Sequence, residues 1–335
     1  MTTLLSPGEV TVDVRLVPDD LRRALRRDAR AGLSARPKTM PPVWFYDDRG
    51  CELYEEITRT PEYYPFRTER DLLRRAAGEI ADAAGATVLV ELGSGTSEKT
   101  RVLLDAMAAG RAGLVGYMPF DVADGTMRAA AQAVADDMGI GVHAVVGDFH
   151  EHLDEIPDVD SPRLVAFLGS TIGNFTPDQR HGFLDEIGGM LGPSDRFLLA
   201  TDLVKPVDRL EAAYDDAAGV TAEFNLNLLS VLNRELAADF DPDRFRHRAV
   251  WDPDNRWIEM RLEATEDMAI SVSALDLSVE FTAGEQMRTE ISTKFTFDQV
   301  RRDLRQAGMR VTAVWTDPAG DYLVTLARTQ VNRAS

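Results

Sequence analysis

A single cysteine, Cys51, occurs in 335 residues, which excludes an internal disulfide and suits a reducing compartment. No histidine lies near it in sequence, so it reads as a spectator rather than a nucleophile. Positive charge is also in short supply. The 37 Lys and Arg face 56 Asp and Glu, leaving a net charge of −19 with no long basic run. Nucleic-acid binding needs a basic footprint, so an RNA or DNA partner, and methylation of either, is disfavoured. No apolar stretch approaches the roughly 18 residues that a membrane helix requires, and the N-terminus lacks the apolar core of a signal peptide. The chain is therefore expected to be cytoplasmic with no membrane partner. Clustered metal ligands are missing too. His150-Glu151-His152 is not completed by further His or Cys, and Asp239, Asp241 and Asp243 lack the Gly and terminal Glu of a calcium loop. No metal is assigned. Internal repeats and low-complexity segments are absent.

What is present is ordinary for a globular chain: 44% hydrophobic and 28% charged residues, in a length suited to one large or two medium domains. The most informative segment is 87–101, Thr-Val-Leu-Val-Glu-Leu-Gly-Ser-Gly-Thr-Ser-Glu-Lys-Thr-Arg. It reads as a buried parallel strand, a tight Gly93-x-Gly95 turn and a helix start, the parts of a nucleotide-type cofactor site. The third glycine of the dinucleotide pattern would fall at Glu98 and is absent. Further strands are read at 113–121, 143–149 and 164–175. The first ends in Asp121, 26 residues after Gly95, about where an acid accepts from ribose hydroxyls in doubly wound folds. The second offers Asp148 and Phe149, an acceptor and a flat apolar face for an adenine. The third runs into a Gly/Asn-rich loop, after which Thr176, Pro177 and Gln179 start a helix with a capping box and an N1 proline.

The remainder is less uniform. An amphipathic helix is expected over 17–35, followed by aromatic, proline-rich stretches around Pro41–Tyr46 and Pro61–Pro65. Thr68 is expected to cap a helix reaching about residue 84. After a strand at 195–203 come helices at 206–217 and 221–238. Three alternating runs at 257–265, 270–281 and 286–297 then suggest an antiparallel sheet, with a hairpin turn at 282–285. A helix at 297–307 and strands at 310–316 and 322–328 close the chain. In the third run, Met287, Ile291, Phe295 and Phe297 are apolar while Arg288, Glu290, Ser292 and Lys294 are polar. Strand geometry therefore puts Glu290 and Ser292 on one face, roughly 6–7 Å apart along the chain. The expected fold is α/β: a Rossmann-like sheet with a C-terminal antiparallel hairpin, at 67–204 plus 296–335. A second α+β domain would combine 1–66 with 205–295, with residues 1–16 as a tail.

The blocks 91–101, Phe-Leu-Gly-Ser-Thr-Ile-Gly-Asn (167–174), Ala-Tyr-Asp-Asp-Ala-Ala-Gly-Val-Thr (213–221) and Phe-Thr-Ala-Gly-Glu (281–285) closely resemble the histidine-specific Nα-methyltransferases of ergothioneine biosynthesis. The resemblance runs from about residue 20 to residue 328. It implies a class I methyltransferase fold, S-adenosyl-L-methionine as co-substrate, and transfer of three methyl groups to the α-amino nitrogen of L-histidine, giving hercynine. It also implies a monomer.

Carried over by motif, the resemblance places Gly93 and Lys99 at the cofactor's methionine part, Asp121 at its ribose, and Asp148 with Phe149 at its adenine. Lys99 also reads as a solvated first-turn lysine. On the amino-acid side the resemblance implicates Tyr46, Tyr63, Asn174, Tyr214, Met260, Glu290 and Ser292. Asn174 would contact both carboxylate and amine of the substrate. Tyr63 and Tyr214 would give hydroxyl donors to the carboxylate, and Tyr46 would lie near the amine. Glu290 and Ser292 suit the two imidazole nitrogens, since one accepts while the other donates or accepts; Met260 would wall that pocket. Tyr46 and Asn174 are the expected catalytic pair. Two other readings stay open: methylation of another aromatic amino acid such as tryptophan, and a non-catalytic cofactor-binding module.

Overall fold

The computed structural model describes residues 6–16, 18–95, 98–122, 124–148 and 152–330. The chain divides into two compact units. One comprises Met1–Val17, Thr68–Leu203 and Phe295–Ser335, and the other Pro18–Arg67 and Val204–Lys294.

The first unit is built on an eight-stranded sheet. In spatial order its strands are Val10–Val14, Gly141–Val146, Gly116–Asp121, Val88–Leu92, Arg163–Phe167, Arg196–Asp202, Tyr322–Thr329 and Met309–Thr316. The first six run parallel, Tyr322–Thr329 runs antiparallel to them, and Met309–Thr316, paired antiparallel with Tyr322–Thr329, returns to the common direction. With Val88–Leu92 counted as first, the order reads 3-2-1-4-5-7-6, that of a class I methyltransferase, with Val10–Val14 added beside strand 3. Parallel strands are covered on both faces, so their sequences are apolar almost throughout. All five residues of Val88–Leu92 are buried, with Leu89 in the core on one face and Val88 and Val90 in the core on the other. Strand order reverses between Val88–Leu92 and Arg163–Phe167. Ligands of open α/β sheets bind outside the carboxyl ends of the strands at such a switch point.

Several expectations need correction. Residues 10–14 are an edge strand paired parallel with Val142–Val146, and so belong to the first unit's sheet rather than to a tail. Their partial burial explains why no apolar run announced them. Thr68 lies inside the helix Tyr64–Ala84 rather than capping it. Pro65 sits at the second residue of that helix, where a proline is tolerated because its missing N–H would have no partner. The helix Pro177–Met190 starts as expected, with both bonds of the Thr176–Gln179 capping box formed.

The second unit carries a four-stranded sheet in the order Lys38–Thr39, Gln286–Thr293, Trp257–Ala264 and Phe245–Asp252. Its core also takes in the helices Pro18–Ser34, Asp48–Arg59, Val207–Tyr214 and Val220–Leu236. Asp47 caps the second of these by accepting from Gly50 N. The run 270–281 is not one strand of this sheet. It folds as a separate hairpin, Met268–Val272 against Leu277–Phe281, broken by a 3-10 turn and by Asp276 at φ 48°. The turn at 282–285 then leads into Gln286–Thr293 without pairing the strands on either side of it.

Candidate active site

At the switch point of the first unit, Gly93 (φ 74°) and Gly95 (φ 49°) take left-handed conformations that a β-carbon would strain. A Cβ built at either would meet nothing within 4 Å, so the loop flanks open space. Gly93 N–H donates to the Phe120 carbonyl at 2.8 Å, and Gly95 N–H donates to Asp121 Oδ2 at 2.8 Å. The glycine turn is thus bonded to the acid that ends the neighbouring strand. Gly147 N–H donates to the Asp121 carbonyl at 3.0 Å, which brings the strand end carrying Asp148 alongside. Phe149 lies outside the described residues. Ser94 Oγ is buried and has no hydrogen-bond partner among the described residues. An unsatisfied hydroxyl in a turn that flanks open space fits a loop built around a polar ligand.

Behind this turn lie two carboxylates that sequence reading missed as site residues. Glu91 is buried and accepts from Tyr117 Oη at 2.7 Å and from Thr100 Oγ1. Burial pushes its carboxyl up to about 7, with Thr100, Tyr117 and Lys99 opposing the rise. Glu69, 0% exposed, pairs with Lys99 and accepts from Gly169 N at 2.6 Å. Lys99 is therefore held in a largely buried ion pair, and the reading as a solvated lysine is set aside. Glu69 also fastens the loop after Arg163–Phe167, where Gly169 (φ 75°) and Ser170 (φ 56°) are both left-handed. A non-glycine residue in that region costs of order 1 kcal/mol and tends to mark functional loops. The strain is held in place by Ser170 Oγ accepting from Asp202 N at 2.9 Å. Asn174 ends the 3-10 turn Thr171–Asn174 that follows directly. Gly93, Lys99, Asp121, Asp148 and Asn174 thus gather at one end of the sheet.

In the second unit, aromatic rings form a continuous series. Tyr46 meets Tyr54 at 5.8 Å, Tyr54 meets Tyr63 at 6.4 Å, and Tyr63 meets Tyr214 at 6.1 Å, each edge to face. Burial first, then Tyr54, Tyr214, Tyr46 and Glu290, push the Tyr63 phenol well above its ordinary value. Tyr63 therefore stays a neutral hydroxyl donor at physiological pH, and Glu290 belongs to the same neighbourhood.

Glu290 reaches that neighbourhood through a β-bulge. In Gln286–Thr293, Arg288 lies opposite Arg261, yet Glu290 lies opposite Met260 and Ser292 opposite Ile258, with the register shifted between Arg288 and Glu290. Thr289 is the extra residue. Directly opposed residues share a face, so Glu290 and Ser292 join Met260 and Ile258 on the side that holds the core. Arg288 turns to the other side, where it and Arg261 bond to Glu259. The plain alternation read from sequence keeps Glu290 and Ser292 together but misplaces Arg288. Bulges of this kind re-aim side chains next to active sites.

The bulge is anchored by a buried polar chain that sequence reading also missed. Thr289 Oγ1 donates to Asn225 Oδ1 at 2.7 Å, and Asn225 Nδ2 donates to His247 Nδ1 at 2.8 Å. His247 Nε2 then donates to the Tyr214 carbonyl at 2.7 Å. Burial lowers the His247 pKa, which keeps Nδ1 free to accept. The backbones that carry Glu290 and Tyr214 are thereby tied together. Tyr214 Oη and Ser292 Oγ are 2.7 Å apart, and Lys294 Nζ donates to both at 2.8 Å. Tyr46, Tyr63, Tyr214, Met260, Glu290 and Ser292 thus fall within one unit, most of them linked by ring contacts, hydrogen bonds or strand pairing.

The profile of the histidine-specific, S-adenosylmethionine-dependent methyltransferases matches residues 25–329. The chain belongs to this family. It is 56% identical to the histidine N-alpha-methyltransferase of Mycolicibacterium smegmatis over 93% of this chain and 97% of that protein. It is 51% identical to that of Mycobacterium tuberculosis, over 95% and 99% respectively. The L-tryptophan methyltransferase of Psilocybe serbica is 27% identical over 91% of this chain and 92% of that protein. The enzyme therefore uses S-adenosyl-L-methionine as methyl donor. Among the described residues, no group of three or more His, Cys, Asp or Glu is placed to hold a metal ion, and no helix is long and apolar enough to cross a membrane.

Proposed function

We propose that the enzyme transfers three methyl groups in succession from S-adenosyl-L-methionine to the α-amino nitrogen of L-histidine. The product is hercynine, and the reaction is the first step of ergothioneine biosynthesis. The observation that carries the choice of amino acid is the bulge at Thr289, which turns a carboxylate and a hydroxyl onto one face beside Met260. Imidazole offers one N–H donor and one lone pair, which such a pair can meet together. Indole offers one donor and no acceptor, so tryptophan would leave one of the two protein groups unanswered, at a cost in discrimination.

The donor, when bound, presents a methyl carbon on a sulfonium sulfur. Before each transfer the ammonium loses one proton, and the lone pair so bared forms the new N–C bond as the C–S bond breaks and its electrons return to sulfur, so three transfers replace the three ammonium protons. No covalent enzyme intermediate is needed, so the chain's contribution is to desolvate, orient and hold the partners in line. Under this reading Gly93 and Lys99 hold the donor's methionine part, Asp121 its ribose, and Asp148 with Phe149 its adenine. Asn174 and Tyr63 hold the amino acid's carboxylate, with Asn174 also reaching the amine, while Tyr214, whose hydroxyl is engaged by Ser292 and Lys294, backs the ring pocket rather than the carboxylate. Glu290, Ser292 and Met260 hold its ring. Tyr46 orients the amine, and the faces of Tyr46, Tyr54 and Tyr63 favour the cation that the nitrogen becomes. Two domains divide this work, the unit of Thr68–Leu203 and Phe295–Ser335 with its edge strand Val10–Val14 taking the donor, and the unit of Pro18–Arg67 and Val204–Lys294 taking the amino acid. The working form is a monomer.

Incubation with isotope-labelled donor and each of the 20 amino acids, read by mass spectrometry, tests the proposal. Histidine should gain three labelled methyl groups. Label on tryptophan but not histidine would overturn the choice of substrate, and binding without any product would favour a non-catalytic module.

A further inference from the structure

Lys294 has been given no role so far, yet it is 0% exposed and touches Ser292 of the proposed ring pocket and Tyr214 behind it. Its ammonium donates to Tyr214 Oη and Ser292 Oγ, both at 2.8 Å, and lies 4.6 Å from the Tyr214 ring centroid. The two hydroxyl oxygens are themselves 2.7 Å apart, which closes a triangle. A lysine buried this completely is costly unless its charge is met by acceptors, and the triangle supplies two oxygens.

The triangle restricts where hydrogens can go. An ammonium has three donors and no acceptor, so both oxygens must turn a lone pair toward Nζ, and their own hydrogens point elsewhere. One of those two hydrogens makes the bond between the hydroxyls. The phenol is the more acidic group, with an ordinary pKa of about 10, and is the better donor. Tyr214 O–H therefore donates to Ser292 Oγ. The hydrogen left over is that of Ser292, and with Nζ and Tyr214 both donating to its oxygen, Ser292 faces a ligand as a donor.

We propose that Lys294 is a positioning residue that sets substrate specificity: by donating to both Tyr214 and Ser292, it fixes the Ser292 hydroxyl as a donor toward the substrate ring. The inference rests on the proposed placement of the ring at Glu290 and Ser292. In that setting Glu290 accepts from the ring N–H while Ser292 requires a ring nitrogen with an open lone pair. A neutral imidazole meets both demands. A ring with an N–H alone meets only the first. Without Lys294, a serine hydroxyl is free to rotate and either donate or accept, so the second demand relaxes.

The test compares histidine with the two pyrrolylalanine isomers. Each isomer keeps one N–H at one histidine nitrogen position and replaces the other nitrogen with C–H. The quantity read is the ratio of kcat/KM for histidine to that for the better isomer, measured in wild type, Lys294→Met, Ser292→Ala and the double variant. A ratio taken within one protein cancels losses of active enzyme, so a merely structural role for Lys294 would not move it. Wild type should prefer histidine by at least about tenfold, the effect of leaving one donor unanswered in a partly buried site. Lys294→Met should bring the ratio to within about threefold of unity, Ser292→Ala should do the same, and the double variant should add nothing further. A ratio unchanged by Lys294→Met, while Ser292→Ala collapses it, overturns the role of Lys294 and leaves the ring pocket standing. A wild type that turns over histidine and pyrrolylalanine equally well also overturns this inference, whereas no turnover of histidine would sink the proposed function itself. Should Lys294→Met be too unstable to assay, Lys294→Gln keeps a donor in place and is expected to retain at least half of the logarithm of the wild-type ratio; a full collapse there counts against the inference.

Discussion

Glu290→Ala is the sharpest perturbation of the ring pocket. The side chain is half-buried and leaves the core face of its strand directly opposite Met260. A hydrogen bond to a charged acceptor contributes about 1.5–3 kcal/mol net. At 1.4 kcal/mol per factor of ten, its loss lowers kcat/KM for histidine by roughly 10- to 150-fold. Partial exposure of Glu290 argues for the lower half of that range, because water can serve the ring N–H once the carboxylate is gone. The methyl donor makes no contact with Glu290 in this account, so its KM should change less than about threefold. Glu290→Gln keeps a carbonyl acceptor without the charge and should fall between wild type and alanine. The assay is initial-rate kinetics with histidine varied at saturating donor, then the reverse. Equal loss in both directions would refute the reasoning, since it would mean that Glu290 supports the fold rather than the ring.

Asn174→Ala should reduce kcat by at least about 100-fold, because amine placement and carboxylate anchoring are lost together; single-turnover rates near wild type would count against its role. Breaking the Glu69–Lys99 pair with Glu69→Ala leaves a largely buried ammonium without its carboxylate and should cost about 3–5 kcal/mol. Chemical denaturation reads this cost, and Glu69→Leu with Lys99→Met should recover most of it if the pair is energetically near-neutral. Glu91 carries a pH signature. Its carboxyl is raised from 4.5 to about 7, so between those values the folded chain holds a proton that the unfolded chain has released. Its contribution is full below pH 4.5 and is lost as pH rises through 7, a change of about 3 kcal/mol. The Glu91→Gln variant should therefore gain thermal stability over wild type at pH 8 relative to pH 5, and parallel Tm curves for the two proteins would contradict this.

The parallel strands were legible in the sequence because burial on both faces turns each into an apolar run that ends at a polar loop. The capping box at Thr176 was legible because its two bonds depend only on residues three apart. Val10–Val14 escaped notice because an edge strand with partial burial has no such run. The break inside 270–281 escaped because Leu275, Leu277, Val279 and Phe281 keep a period of two across a turn, although Leu275 lies in a 3-10 turn and only the last three are in the strand. The bulge at Thr289 was hidden for a related reason. Arg288 and Glu290 are both polar, so a reversal of face between them leaves the alternation looking intact. Glu69 and Lys294 look like ordinary surface charges until packing buries them. A polar residue in a helix or strand does not announce its partner, and theirs are 30 and 80 residues away at Lys99 and Tyr214.

The most direct measurement is a crystal structure of the enzyme with L-histidine and S-adenosyl-L-homocysteine bound. The account predicts the imidazole between Glu290 and Ser292, one ring nitrogen within about 3 Å of each, with the carboxylate on the hydroxyl of Tyr63 and the amide of Asn174. An imidazole bound elsewhere, with Glu290 and Ser292 making no contact to the ligand, would contradict it.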